Sequence, residues 1–139
     1  MEDKNLGQAT SIWMATTPST NYPSLNQNIK IDVVIVGGGM AGLMAAYFLK
    51  IAGLKVAVIE AGRIASATTG YTTAKITSLH GHIYSYLIKH FGQDLAQIYA
   101  DANQTAVNQV EKIVNELKIE CDFDRISTYT YSNSTDYDP

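Results

Sequence analysis

Cysteine is nearly absent from this 139-residue chain. Cys121 stands alone, so no internal disulfide can form, and no zinc or iron–sulfur site, each needing about four ligands, can be built on it by itself. A reduced, intracellular setting is expected. An excess of one charge is also lacking: ten Lys and Arg against thirteen Asp and Glu leave a net charge of −3. That balance offers no electrostatic footprint for a phosphate polymer and argues against a nucleic-acid partner. Long apolar runs are missing too, since none approaches the roughly 18 residues that a membrane span needs. Met1-Glu2-Asp3-Lys4 lacks the basic and apolar regions of a secretory signal, so a cytoplasmic protein without a membrane span is expected. What is present is ordinary for a globular protein: 46% hydrophobic and 17% charged residues, enough for one packed core, which excludes disorder, collagen and coiled coil.

The first thirty residues are polar, with Pro18 and Pro23 and a Ser/Thr/Asn cluster over 16–28 that favours extended or loop structure. This lead-in arm, residues 1–29, has one apolar knot, Ile12-Trp13-Met14, read as an anchor that packs the arm onto the domain. Ile31-Asp32-Val33-Val34-Ile35-Val36 is β-branched with little alternation, as in a parallel strand buried on both faces. Gly37-Gly38-Gly39 ends it. Residues 40–52 are strong helix formers, small Ala41, Ala45 and Ala46 permit close approach to a sheet, and Gly53 supplies the stop. Lys55-Val56-Ala57-Val58-Ile59 reads as a second buried strand, completing a βαβ unit whose crossover is expected to be right-handed.

Residues 63–82 are rich in Thr, Ser, Ala and Gly and read as a loop with room for a short helical turn. A long amphipathic helix follows, with Leu95, Ile98, Tyr99, Ala102, Ala106, Val110, Ile113, Val114 and Leu117 at three- and four-residue steps and Asp94 in its first turn. Residues 119–131 alternate apolar and polar and carry Tyr129-Thr130-Tyr131, the pattern of a half-exposed antiparallel strand.

The chemistry lies in Gly37-x-Gly39-x-x-Gly42, between a strand and a helix. Gly37 allows the tight turn, Gly39 leaves room for a pyrophosphate to approach the backbone, and Gly42, helped by Ala46, brings the helix close to the sheet. The helix amino terminus, from about Gly39 through Met40 to Ala41, offers N–H groups and partial positive charge to phosphate oxygens. Glu60, at the end of the second strand and followed by Ala61-Gly62, can accept hydrogen bonds from both ribose hydroxyls of an adenosine and would repel a 2′-phosphate. The acid separates NADP from the others more firmly than it separates NAD from FAD.

The sequence resembles the FAD-dependent oxidoreductases of the D-amino-acid oxidase/glycine oxidase type. The resemblance is carried by 32–43, by Val58-Ile59-Glu60-Ala61-Gly62-Arg63-Ile64 and by Thr68-Thr69-Gly70-Tyr71-Thr72-Thr73-Ala74-Lys75-Ile76-Thr77. More narrowly, Ser11-Ile12-Trp13, the Thr-Thr-Ala-Lys-Ile-Thr string and Cys121-Asp122-Phe123 resemble a bacterial subgroup whose longer members often append a Rieske-type [2Fe-2S] domain. The resemblance implies Gly37, Gly39, Met40 and Ala41 at the pyrophosphate and Glu60 at the adenosine ribose. It further implies Arg63 beside the adenosine half, Thr68 and Thr69 at phosphate or ribitol oxygens, and Thr72 and Thr73 nearer the flavin ring. Lys75 is a candidate cation for the phosphates or the flavin pyrimidine, weighed evenly against a solvated lysine. Ala65 and Ala67 stand where relatives more often have glycine, which bears on the loop's course because alanine disfavours positive φ.

The resulting expectation is an α/β fold, a Rossmann-like FAD-binding βαβ unit followed by a long helix and the start of an antiparallel substrate-domain sheet. The fold is incomplete, because only two of about five parallel strands are legible. The divisions are 1–29, 30–118 and 119–139, and the chain reads as an amino-terminal fragment that recognises the ADP half of FAD without completing an active site. The implied activity of the parent is oxidation of a small amine or amino acid by hydride transfer to FAD. A non-catalytic dinucleotide-binding or electron-relay module and an NAD-linked dehydrogenase are the alternatives. No catalytic residue can be named from spacing, and the sequence carries no signal for an oligomeric state. His80 and His82 lack a third ligand nearby and predict no metal site, His90 reads as a surface residue preceding the long helix, and Cys121 reads as a core residue.

Overall fold

A computed structural model of the chain describes residues 10–131. The remainder of the arm and of the expected last region, 132–139, lies outside the described residues. These fall into two compact units that meet in the chain between Ala74 and Lys75.

The first unit opens with α1, Ile12–Thr16, where an extended arm was expected. Ser11 overrides that reading, because its hydroxyl accepts from the Trp13 N–H at 3.2 Å and caps the helix. Strand β1 (Val33–Val36), helix α2 (Met40–Ile51) and strand β2 (Val56–Ile59) form the expected βαβ unit. The strands pair in parallel, Val33 against Val56 through Val36 against Ile59. Asp32 clamps their entry, its carboxylate accepting from the Lys55 N–H at 2.8 Å and its own N–H donating to the Lys55 carbonyl at 2.9 Å. Gly53, at φ +87°, ends the helix in a conformation that disfavours a side chain. A 3₁₀ turn, Thr68–Tyr71, lies within the expected loop.

The sheet has two strands among the described residues. Val36 is 86% exposed and Val34 50%, although their unbroken apolar run suits burial on both faces.

The second unit holds α3 (Ile83–Phe91) and α4 (Gln93–Leu117), which pack on each other. No element is expected over 83–91, whose aromatic and β-branched residues are mediocre helix formers; packing against α4 makes the segment a helix. His90 therefore sits in the last turn of α3, its ring stacked on Tyr86 at 4.0 Å. Gly92 joins the helices at φ +84°, where a side chain would be strained. Helix α4 buries Ala96 and half-buries Tyr99, Asn103, Val107, Val110 and Val114, while Leu95, Ile98 and Leu117 of the expected apolar stripe stay exposed.

Residues 119–131 form no strand, which corrects the expected opening of an antiparallel sheet for the described part of that region. The alternation is present but a strand exists only as one side of a pair, and no partner lies beside it among the described residues. Cys121 is consequently exposed rather than in a core. Arg125 ties the segment to α4, pairing with the Glu111 carboxylate and donating to the Asn108 side-chain oxygen at 2.8 Å.

Candidate functional site

The site is built from the turn that leaves β1. The Gly37 N–H continues the ladder to the Ile59 carbonyl at 2.8 Å, and the chain then reverses at φ +103°. Gly42 brings α2 onto this turn: a Cβ there would fall within 3.0 Å of the Gly37 carbonyl oxygen, a backbone atom that cannot swing aside. Gly39 caps α2 without a side chain, and no acid occupies the first helical turn, so the positive end of the helix is uncompensated by charge.

Two side chains converge on these N–H groups. The Glu60 carboxylate accepts from the Gly38 N–H at 2.7 Å through Oε2 and from the Gly62 N–H at 2.9 Å through Oε1. These donors, Gly38 first and Gly62 next, hold the carboxyl below its ordinary range, against a smaller opposing effect of desolvation. An ionised carboxylate has about four acceptor positions, so Glu60 keeps capacity for two further donors. Thr69 Oγ1 accepts from the Met40 N–H at 3.0 Å, and a Cβ on Gly39 would lie 3.4 Å from that oxygen. The N–H groups of Gly39 and Ala41 donate to no acceptor among the described residues.

Gly38 belongs to the site and was missed by the spacing argument, which assigned work only to the first, third and sixth positions of the motif. It is buried, and a Cβ would meet Ile64 Cδ1 inside 3.0 Å and Glu60 Cβ at 3.3 Å. The three consecutive glycines were the available signal.

The loop after Ala61 runs back over the turn, the Ala65 N–H donating to the Gly38 carbonyl at 2.9 Å. Ala65 adopts φ +58° despite being alanine, whereas Ala67 sits at φ −82°. The Thr72 carbonyl accepts from Trp13 Nε1 at 2.8 Å, which makes the apolar knot of the arm the anchor it was expected to be. Arg63 directs its guanidinium to the arm, donating to the Thr17 carbonyl at 2.9 Å and the Pro18 carbonyl at 3.4 Å. Thr68 and Thr73 are exposed, and Lys75, also exposed, opens the second unit. Glu60, Thr69 and the glycines are thus brought together.

Outside this site, His80 Nδ1 meets Tyr99 Oη at 3.3 Å, and among the described residues no group of three His, Cys, Asp or Glu is placed to hold a metal ion. No helix of the described residues is long and apolar enough to cross a membrane.

The family model for FAD dependent oxidoreductases matches residues 32–138, which includes the glycine turn, Glu60 and the threonine loop. The chain belongs to this family. Among curated relatives it is 38% identical over 120 residues to the "Putative Rieske 2Fe-2S iron-sulfur protein YhfW" of Bacillus subtilis (strain 168), covering 86% of this chain and 24% of that protein. It is 28% identical over 102 residues to the gamma-glutamylputrescine oxidoreductase of Escherichia coli (strain K12), covering 73% and 24%. A thiamine thiazole synthase of Pyrococcus horikoshii is 49% identical over 39 residues, covering 28% of this chain and 16% of that protein. The chain therefore spans about a quarter of the length of the first two relatives. No solved structure matches it significantly. The family's dependence on FAD makes that dinucleotide, rather than NAD, the cofactor against which the turn is read.

Proposed function

We propose that this chain is the amino-terminal FAD-binding portion of a flavin-dependent oxidoreductase and holds the ADP half of the cofactor at the turn 37–42. The observation that carries the reading is the Glu60 carboxylate, bonded at 2.7 Å to the buried Gly38 N–H beside an amino-terminal helix turn without acids. This places an ionised acceptor next to anion-seeking N–H groups, as an adenosine diphosphate requires: hydroxyls at one end, phosphate charge at the other. Gly37, Gly39, Met40 and Ala41 would face the pyrophosphate, with Gly42 allowing the close approach. Glu60 and neighbouring Ala61 would face the ribose. Thr69 already supplies a hydroxyl oxygen to the Met40 N–H where a phosphate oxygen would sit, so that bond exchanges on binding. Thr68, Thr72, Thr73 and Lys75 are assigned toward the ribitol, flavin and phosphates, and Arg63 toward the adenosine half.

When bound, FAD would supply the hydride-accepting chemistry. The chain's own residues would bind and orient it: the glycine turn fixes the phosphates, Glu60 fixes the ribose, and the threonine loop covers the far half. The gamma-glutamylputrescine oxidoreductase relative supports an amine or amino acid as the parent's substrate. Residues 30–118 would belong to the FAD domain and 119–139 to the start of the substrate domain, in a cytoplasmic enzyme. A second reading, an electron relay to a [2Fe-2S] cluster elsewhere in the parent, is favoured by the relative named as a Rieske protein.

The test is purification and spectroscopy. A yellow protein with a flavin spectrum that bleaches anaerobically on addition of an amine supports the enzyme reading. A flavin that only exchanges electrons with an iron–sulfur centre supports the relay, and preferential binding of NAD rejects both.

A further inference from the structure

The loop 62–74 has few regular hydrogen bonds to fix it. Ser66 bonds back to Arg63 at 3.2 Å and Gly70 to Ala67 at 3.0 Å, both local, while the Ala65 N–H and the Thr69 hydroxyl oxygen reach the turn 37–42. Its outer ties come from the arm. Trp13 Nε1 donates to the Thr72 carbonyl at 2.8 Å across 59 positions of sequence. The Met14 sulfur lies against Gly70 so closely that a Cβ there would sit 2.8 Å from it, and 2.6 Å from the Ala65 carbonyl oxygen. At the other end of the loop, Arg63 reaches back to the carbonyls of Thr17 and Pro18. The arm therefore touches the loop at its start, middle and end, and Thr69, the residue on the Met40 N–H, lies between those ties.

We propose that residues 11–18 are a positioning strap for the cofactor loop, with Trp13 and Met14 pinning the 3₁₀ turn and Arg63 acting as the clasp. The inference rests on the FAD reading above and changes what Arg63 does within it: the guanidinium holds the arm, and acts on the cofactor through the loop. Trp13, Met14 and Arg63 are positioning residues. A bond whose ends are far apart in sequence closes a long stretch of intervening chain, which a local bond does not.

The test measures FAD affinity by titration, together with backbone hydrogen exchange, in the full chain and, for one comparison, in a chain lacking residues 1–18. Trp13→Phe keeps the ring and removes the N–H; it should weaken FAD roughly two- to ten-fold, the worth of one hydrogen bond. Exchange should rise within 65–74 while 33–59 keeps its protection. Arg63→Met should weaken FAD comparably, and should do nothing further in a chain lacking residues 1–18, because the clasp then has nothing to hold. A full additional loss in the shortened chain would assign Arg63 to the cofactor itself and overturn the strap. If the shortened chain loses the unsubstituted far-UV spectrum, the exchange pattern of Trp13→Phe decides: unaltered exchange in 65–74 overturns the proposal. No flavin uptake by the unsubstituted chain overturns the cofactor reading and the strap with it. Flavin uptake that both substitutions leave unchanged overturns the strap alone.

Discussion

Gly42→Ala sets two known effects against each other. Replacing a glycine inside a helix should stabilise it by about 0.8–1 kcal/mol, since glycine loses the most backbone entropy on folding. At this position the new methyl would fall within 3.0 Å of the Gly37 carbonyl oxygen and 3.3 Å from both the Gly37 carbonyl carbon and Ile35 Cγ2. Two of those three atoms are backbone, so relief requires α2 to lift from the turn; overpacking of this kind costs about 1–3 kcal/mol, here toward the upper end. The net expectation is a loss of roughly 1–2 kcal/mol, read by urea denaturation followed by far-UV circular dichroism, together with weaker flavin binding as the helix end moves. Gly39→Ala is the control. Its φ of −83° suits alanine and its Cβ makes only ordinary contact with Thr69, so the fold should hold while FAD affinity falls by at least about ten-fold through obstruction of the phosphate. A Gly42→Ala chain that is more stable than the original would refute the close approach on which the site depends.

Ala65→Gly should raise stability by up to roughly 1 kcal/mol, measured as an upward shift of the unfolding midpoint, because φ +58° strains alanine by more than glycine's entropy costs. Glu60→Ala should weaken FAD by at least about ten-fold in an equilibrium titration, the loss of charge-assisted bonds. The depressed carboxyl of Glu60 also predicts a pH dependence. Its folded-state value lies below the unfolded 4.5, so its contribution is complete above that pH and is lost as pH falls through the folded value; Glu60→Gln should flatten stability across that acid range, and an unaltered profile would contradict the bonds to Gly38 and Gly62. Arg125→Met should cost at most about 1 kcal/mol, and 1 M salt should shrink the difference, since the pair with Glu111 is partly exposed to solvent.

The βαβ unit was legible in the residues because its signals are local. An unbroken β-branched run, glycines at a turn and a run of helix formers each act within a few positions, and Gly53 marks the helix end by its own backbone freedom. The long helix was legible from its period, though the side it covers was not: Leu95 and Ile98 belong to the apolar stripe yet stay exposed, because which part of a wide stripe is covered depends on where α3 lies. Residues 119–131 have strand patterning and no strand, since pairing needs a second chain segment that the pattern cannot supply.

The glycine turn, the acid at the end of β2 and the family to which they point can all be read from the order of residues. Tertiary structure decided the rest of the site: that Glu60 turns inward to the Gly38 N–H, that Thr69 rests on the Met40 N–H, and that Arg63 reaches the arm 46 positions away. Spacing along a chain fixes which residue types are available at a turn. Which donor meets which acceptor is settled only when segments distant in sequence are folded against each other, because a hydrogen bond depends on a few tenths of an ångström that no local pattern encodes.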